Sequence, residues 1–180
     1  MRRRFGVVVG LLVVAVGLLT APAATAAPYC GISWGSLPER ASATETAPLV
    51  NVRAGRHPCF DRLVLDFTGD VDGYSVRYVP TVTMDGSGLP VPLRGGADLE
   101  IVTIAPAYDS NGRVTYRPAS RTELVSVDGW RTFRQVAWAG SFEGQTTIGL
   151  GVRARLPFRV FTLDGPGNGS RLVVDVAHRW

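Results

Sequence analysis

The chain has 180 residues, with 19 basic side chains that are all Arg, 15 Asp and Glu, 2 Cys and 2 His, for a formal charge of +4. Its first 26 residues read as a removable export signal carrying three of the Arg, which leaves 154 residues with 16 basic against 15 acidic groups, the size of one domain and nearly neutral. That removes the case for nucleic acid which an overall pI of about 9.6 would make, two Cys exclude an all-cysteine zinc site, and no apolar run long enough to span a membrane follows the signal.

In chain order, the signal has a basic start at Met1 to Arg4, an apolar stretch from Phe5 to Leu19, and the A-x-A cleavage site Ala24-Thr25-Ala26. Its 15 apolar residues fall short of the roughly 20 that a spanning helix needs. Arg2-Arg3-Arg4-Phe5 leaves open a twin-arginine route alongside the general one. Ala27-Pro28-Tyr29 before Cys30 is not a lipobox, so no lipid anchor is expected. Export to an oxidising compartment predicts one disulfide, Cys30 to Cys59, closing a loop of 30 residues. Loop entropy assigns such a bridge about 3.6 kcal/mol. It ties down an N-terminal arm over residues 27–60, in which Glu39 to Pro48 is polar and without periodicity. Residues 61–180 then form the β-domain.

Beyond the arm, short apolar runs alternate with Gly, Pro, Asp and Asn at the spacing of all-β domains. Strands are predicted at 63–67, 74–79, 99–104, 124–127, 133–138, 146–152, 158–163 and 172–176. Weaker candidates lie at 114–116 and at 89–93, the latter an edge because of Pro90 and Pro92. Ser120-Arg-Thr-Glu123 matches a capping box, yet Leu-Val-Ser-Val follows and Gly129 stops the pattern, so little or no helix is expected. The fold class is an all-β, two-sheet β-sandwich with a disulfide-tied arm.

One internal echo stands out. Arg62-Leu-Val-Leu-Asp66-Phe67 and Arg171-Leu-Val-Val-Asp175-Val176 share four of six positions. In a strand, Leu63, Leu65 and Phe67 face one way while Arg62, Val64 and Asp66 face the other, and the second copy divides identically. Each strand offers one face to a core and presents Arg and Asp opposite; the expectation is related places in the two sheets, with Arg62 near Asp66 and Arg171 near Asp175.

Motifs that imitate catalysis lack their context. Gly31-Ile-Ser33-Trp-Gly35 is a literal G-x-S-x-G with His178 downstream, but no buried strand precedes it and no helix follows. Gly149-Leu-Gly151-Val-Arg-Ala154 imitates a dinucleotide fingerprint, yet another strand follows where a helix is required, so these glycines are expected to allow a close backbone approach. His57 and His178 have no metal-ligand spacing. Asp70-Val-Asp72-Gly73 reads as a turn, and Asn168-Gly-Ser170, a formal glycosylation sequon, as a hairpin tip. No cofactor, metal or catalytic residue is predicted. Of the Trp, Trp138 is expected to pack, while Trp34 and Trp130 lie in loops, Trp130 beside Arg131, as a platform for a sugar ring or peptide would.

Phe60-Asp-Arg-Leu-Val-Leu-Asp66-Phe67, Ser141-Phe-Glu143-Gly144 before Gly149-Leu-Gly151, and Pro157-Phe-Arg-Val-Phe161 leading to Arg171-Leu-Val-Val-Asp175-Val176 resemble, in order and spacing, the AMIN-type domain of bacterial cell-wall amidases. The likeness is closer to the AMIN-like exported proteins of actinobacteria. It covers Asp61 to His178 and departs in long insertions between Val79 and Leu124. The resemblance implies a two-sheet sandwich and a non-catalytic module localised to peptidoglycan or another cell-wall glycan or peptide, in the periplasm, cell wall or extracellular space. On this reading the ligand contacts come from Arg62, Asp66, Trp130, Arg131, Glu143, Arg171 and Asp175. Mutual ion pairing of the Arg and Asp is the competing account. Two other classes stay open: a secreted hydrolase or inhibitor with a site built from distant loops, and an adaptor for other envelope proteins through an exposed strand edge.

Overall fold

The computed structural model describes residues 27–180. The export signal expected over residues 1–26 lies outside the described residues. After one 3-10 turn at Tyr29–Gly31 come β1 (Glu39–Ala41), β2 (Leu49–Arg56), β3 (Phe60–Phe67), β4 (Tyr74–Val79), β5 (Val82–Thr83) and β6 (Pro90–Val91). Then follow β7 (Ala97–Thr103), β8 (Phe133–Phe142), β9 (Gln145–Val152), β10 (Phe158–Asp164) and β11 (Ser170–Ala177).

The strands form two antiparallel sheets, one in the order β1-β4-β7-β9-β8 and one in the order β10-β11-β3-β2, with β5 and β6 as a small separate hairpin. Period-two alternation decides what lies between the sheets. Leu63, Leu65 and Phe67 of β3 and Leu172, Val174 and Val176 of β11 meet Leu99, Ile101, Ile148, Leu150 and Val136 from the other sheet in one core cluster. The predicted sandwich, its near absence of helix and the Cys30–Cys59 bridge are all present.

The arm is woven into both sheets. β1 pairs with β4, while Gly35 accepts from the backbone N–H of Phe158 at 2.8 Å and the Glu39 carboxylate from that of Val160 at 3.0 Å. Burial pushes the Glu39 carboxyl up. The edges of β4 and β10 are thereby covered along one side. Neither β1 nor β2 is legible as a strand: β1 has three residues, and an extra residue at Val50, a bulge opposite β3, breaks the alternation of Leu49, Val52 and Ala54.

The segment expected as a strand at 124–127 is instead a loop that runs beside β8. It is fixed where Leu124 donates to the carbonyl of Val136 at 2.8 Å and Trp138 to that of Arg121 at 2.7 Å. The Ser120 hydroxyl accepts from the Glu123 N–H at 3.2 Å, half of a capping box with no helix after it, because the Glu123 side chain turns to Arg94. The residues expected as a strand at 114–116 supply a single bridge, Val114 to Tyr108.

Gly149 and Gly151 show why that strand carries glycine. A Cβ on Gly151 would lie 2.1 Å from the Arg94 carbonyl oxygen, and one on Gly149 would lie 3.0 Å from Leu93. The turn at 93–96 and the β5–β6 hairpin therefore lie directly on the outer face of the five-stranded sheet.

Candidate functional site

The repeated strands are neighbours in one sheet, β3 beside β11, and not counterparts in two. Antiparallel pairing sets Arg62 opposite Asp175, Val64 opposite Val173 and Asp66 opposite Arg171. Arg62 donates from Nε and Nη2 to the two oxygens of Asp175 at 2.6 and 2.8 Å, and Arg159 of β10 donates from Nε to the same carboxylate at 2.9 Å. Asp66 is claimed by β2, through a bidentate pair with Arg53 at 2.8 and 2.9 Å and through Asn51 at 3.1 Å. Arg171 donates to the Asp164 carbonyl at 2.8 Å and leaves its Nε without a partner. The expected Arg62–Asp66 and Arg171–Asp175 pairings along each strand are thus replaced by pairings across strands.

Aromatic rings complete this outer face. The Arg159 guanidinium lies 4.4 Å from the centroid of Trp34 and 5.0 Å from that of Phe161, and Arg62 lies 5.3 Å from that of Phe60. Trp34 reaches the sheet because the bridge to Cys59 holds the arm beside Phe60, with ring centroids 5.6 Å apart. The guanidinium groups lie over the rings, and Asp66 and Asp175 balance only part of the charge of Arg53, Arg62, Arg159 and Arg171.

The other predicted contacts lie elsewhere. Trp130 packs against the core, stacked on Phe133 with centroids 5.9 Å apart. Arg131 is exposed at that end of the sandwich, and Glu143 is exposed at the β8–β9 turn with φ at 48°. Ser33 is exposed in the arm, whereas His178 is buried with Nε2 3.2 Å from Asp61 Oδ1. Among the described residues, no group of three or more His, Cys, Asp or Glu is placed to hold a metal.

A groove beside β8 was not foreseen from sequence. With a volume of about 560 Å³, it runs along the outer edge of β8, with Tyr108, Tyr116, Trp138 and Phe142 in its lining beside Asp85, Arg117 and Arg121. A bulge in β8 between Trp138 and Gly140 builds it, by turning the Ala139 carbonyl out of the ladder to accept the Asp85 N–H at 2.8 Å. Gly140 takes φ at 129°, which disfavours other residues, and a Cβ there would sit tightly against Asp85 at 3.0 Å. The opposite wall is pinned where the Ala107 N–H donates to the Ser141 hydroxyl at 2.9 Å. Tyr116 and Trp138 meet at 5.6 Å between centroids, and Phe142 and Val114 are 52% and 56% exposed at the rim.

Charge in the groove is unspent. Arg117 and Arg121 are exposed and form no ion pair among the described residues. Asp85 accepts from the Thr147 hydroxyl at 2.8 Å through Oδ1, while Oδ2 is buried without a partner. Burial pushes the Asp85 carboxyl up, against the pull of Thr147. Aromatic faces for C–H stacking beside guanidinium forks and a carboxyl make a surface suited to sugar rings that carry carboxylates. The sequence signal was there in Tyr108, Tyr116 and Phe142, but the bulge that gathers them is a tertiary event.

A family model for the AMIN-like domain matches residues 47–178, from just before β2 to just past β11. The chain belongs to the AMIN-like family. No curated protein and no solved structure matches it significantly. AMIN-like domains are generally non-catalytic modules of envelope proteins, associated with peptidoglycan. Among the described residues of this AMIN-like chain, no helix is long and apolar enough to cross a membrane.

Proposed function

We propose that this AMIN-like protein is an exported, non-catalytic module that localises to the cell wall by binding the glycan strands of peptidoglycan in the groove beside β8. The observation that carries this reading is the gathering of four aromatic side chains and two Arg, unpaired among the described residues, in one groove of a domain whose family is associated with peptidoglycan. The outer face of the four-stranded sheet is the lesser contact. Arg62, Asp66 and Asp175 would each give up an existing ion pair to meet a ligand, which returns little net energy. Arg171, Arg131 and Glu143 are the members of the predicted set free to assist.

Sedimentation with purified peptidoglycan tests the proposal. Wild-type protein is expected in the pellet, and Phe142→Ala combined with Arg121→Gln is expected to weaken retention about tenfold, the equivalent of roughly 1.4 kcal/mol. Arg171→Ala is expected to have a smaller effect. Absence of wild-type protein from the pellet would end the reading; equal retention of the groove variant would move the contact away from β8.

A further inference from the structure

One end of the sandwich gathers arginines that form no ion pair among the described residues. Arg131, Arg153 and Arg179 line a cleft of about 380 Å³ together with Tyr29 and His178. Arg56 and His57 line an adjoining cleft of similar volume that shares Arg131 and His178 with the first. None of these four Arg forms an ion pair among the described residues. They are held in place by neutral groups: Arg153 donates to the His178 carbonyl at 2.6 Å, Arg131 to that of Pro58 at 3.5 Å, and Arg179 lies over the Tyr29 ring at 4.5 Å. A guanidinium has five N–H donors, so most remain unmatched.

The carboxylate in the lining of these clefts is already committed. Asp61 is fully buried, takes the N–H groups of Thr132 at 2.8 Å and Phe133 at 3.0 Å on one oxygen, and sets its other oxygen against His178 Nε2. The His178 side chain is only 6% exposed, and its Nδ1 has no partner. The cleft is also braced covalently, because Tyr29 and Pro58 adjoin the two bridged cysteines. Like charges brought together on a braced frame, with donors to spare, are costly unless an anion joins them.

We infer that this cleft is an oxyanion site, which takes a carboxylate or a phosphate group between Arg131, Arg153 and Arg179 above His178. It is separate from the groove beside β8 and does not depend on glycan binding there. The test is NMR titration of the disulfide-intact protein at low ionic strength, with N-acetylglycine as the carboxylate and inorganic phosphate as the alternative. The ring nitrogens of His178 serve as reporter, easily assigned in a chain with two His.

A saturable shift at His178 with either anion, while Tyr116 and Trp138 stay still, is expected. The anion that binds more tightly names the source, a peptide carboxylate or a phosphate ester. Arg131→Gln combined with Arg179→Gln is expected to weaken binding at least tenfold at an unchanged melting temperature, and Arg179→Gln alone serves if the double variant folds poorly. No saturable shift at His178 with either anion, or wild-type affinity in the variants, overturns the inference.

Discussion

Replacement of Asp175 by Asn is the sharpest probe of how the four-stranded sheet spends its charge. The Asp175 side chain is fully buried, and its two oxygens receive Arg62 twice and Arg159 once, from side chains that are 25% and 41% exposed. Asn keeps the shape but turns an N–H toward guanidinium donors and leaves two cations side by side. Removal of one partner of a fully buried pair costs about 3–5 kcal/mol. Because both Arg retain some water, the lower end applies here, about 3 kcal/mol. For a domain of this size that lowers the melting temperature by roughly 6–12 °C, readable by calorimetry or circular dichroism. Arg159→Gln leaves the Arg62 pair intact and is expected to cost about 1 kcal/mol or less. Arg62→Met with Asp175→Val, which removes both charges, is expected to cost less than Asp175→Asn alone. An Asp175→Asn protein that melts within about 2 °C of wild type, or an Arg159→Gln protein that falls as far, would refute the account of Asp175 as the anion that holds Arg62 and Arg159 together.

Cys30→Ser with Cys59→Ser frees the arm, with an expected loss of about 3.6 kcal/mol from chain entropy and a change in Trp34 fluorescence as that ring leaves Arg159; unchanged urea midpoint and emission would show that the arm stays seated without the bridge. Asp85→Asn tests the buried carboxyl in the groove. Its folded-state pKa is raised by burial, so its favourable contribution is present in acid and is lost as pH climbs through the folded value. Asn mimics the neutral form and can still accept from Thr147, so the variant is expected to melt above wild type at pH 7 with a gap that closes toward pH 3. A gap that does not vary with pH would remove burial as the cause.

What could be read in the sequence follows the reach of each interaction. Strands whose apolar residues alternate strictly, such as β3 and β11, announce both their conformation and their buried face, because the period of two is local. The disulfide is legible from compartment and count. β2 escaped because the bulge at Val50 breaks its pattern, and β1 because three residues carry no period and it exists only through β4, a partner more distant in the chain. The groove was hidden for the same reason. Tyr108, Tyr116 and Phe142 meet only because β8 carries a second bulge and Gly140 lets Asp85 come close. Trp130, which looked like a loop platform, is drawn onto Phe133 by the apolar area it buries there.

The repeat holds a further lesson, since its misplacement was avoidable. A segment that begins with Arg and carries Asp four residues later is self-complementary against a copy of itself only when the two run antiparallel: Arg then faces Asp at both ends, and Val faces Val at the centre. In a parallel pair in register, like charges would sit side by side and repel across the ladder. Two such copies in an all-β chain therefore predict direct antiparallel pairing, which is the register that sets Arg62 against Asp175 and Asp66 against Arg171. Both acidic groups of the repeat already have partners within the sheet. Within the strand pair Asp175 is held by Arg62, whereas Asp66 is held by Arg53 of β2 and not by Arg171, and Arg159 of β10 joins at Asp175. Arginines without an ion pair among the described residues lie instead at the rim of the β8 groove and in the cleft at the end of the sandwich, where the two proposed contacts are placed.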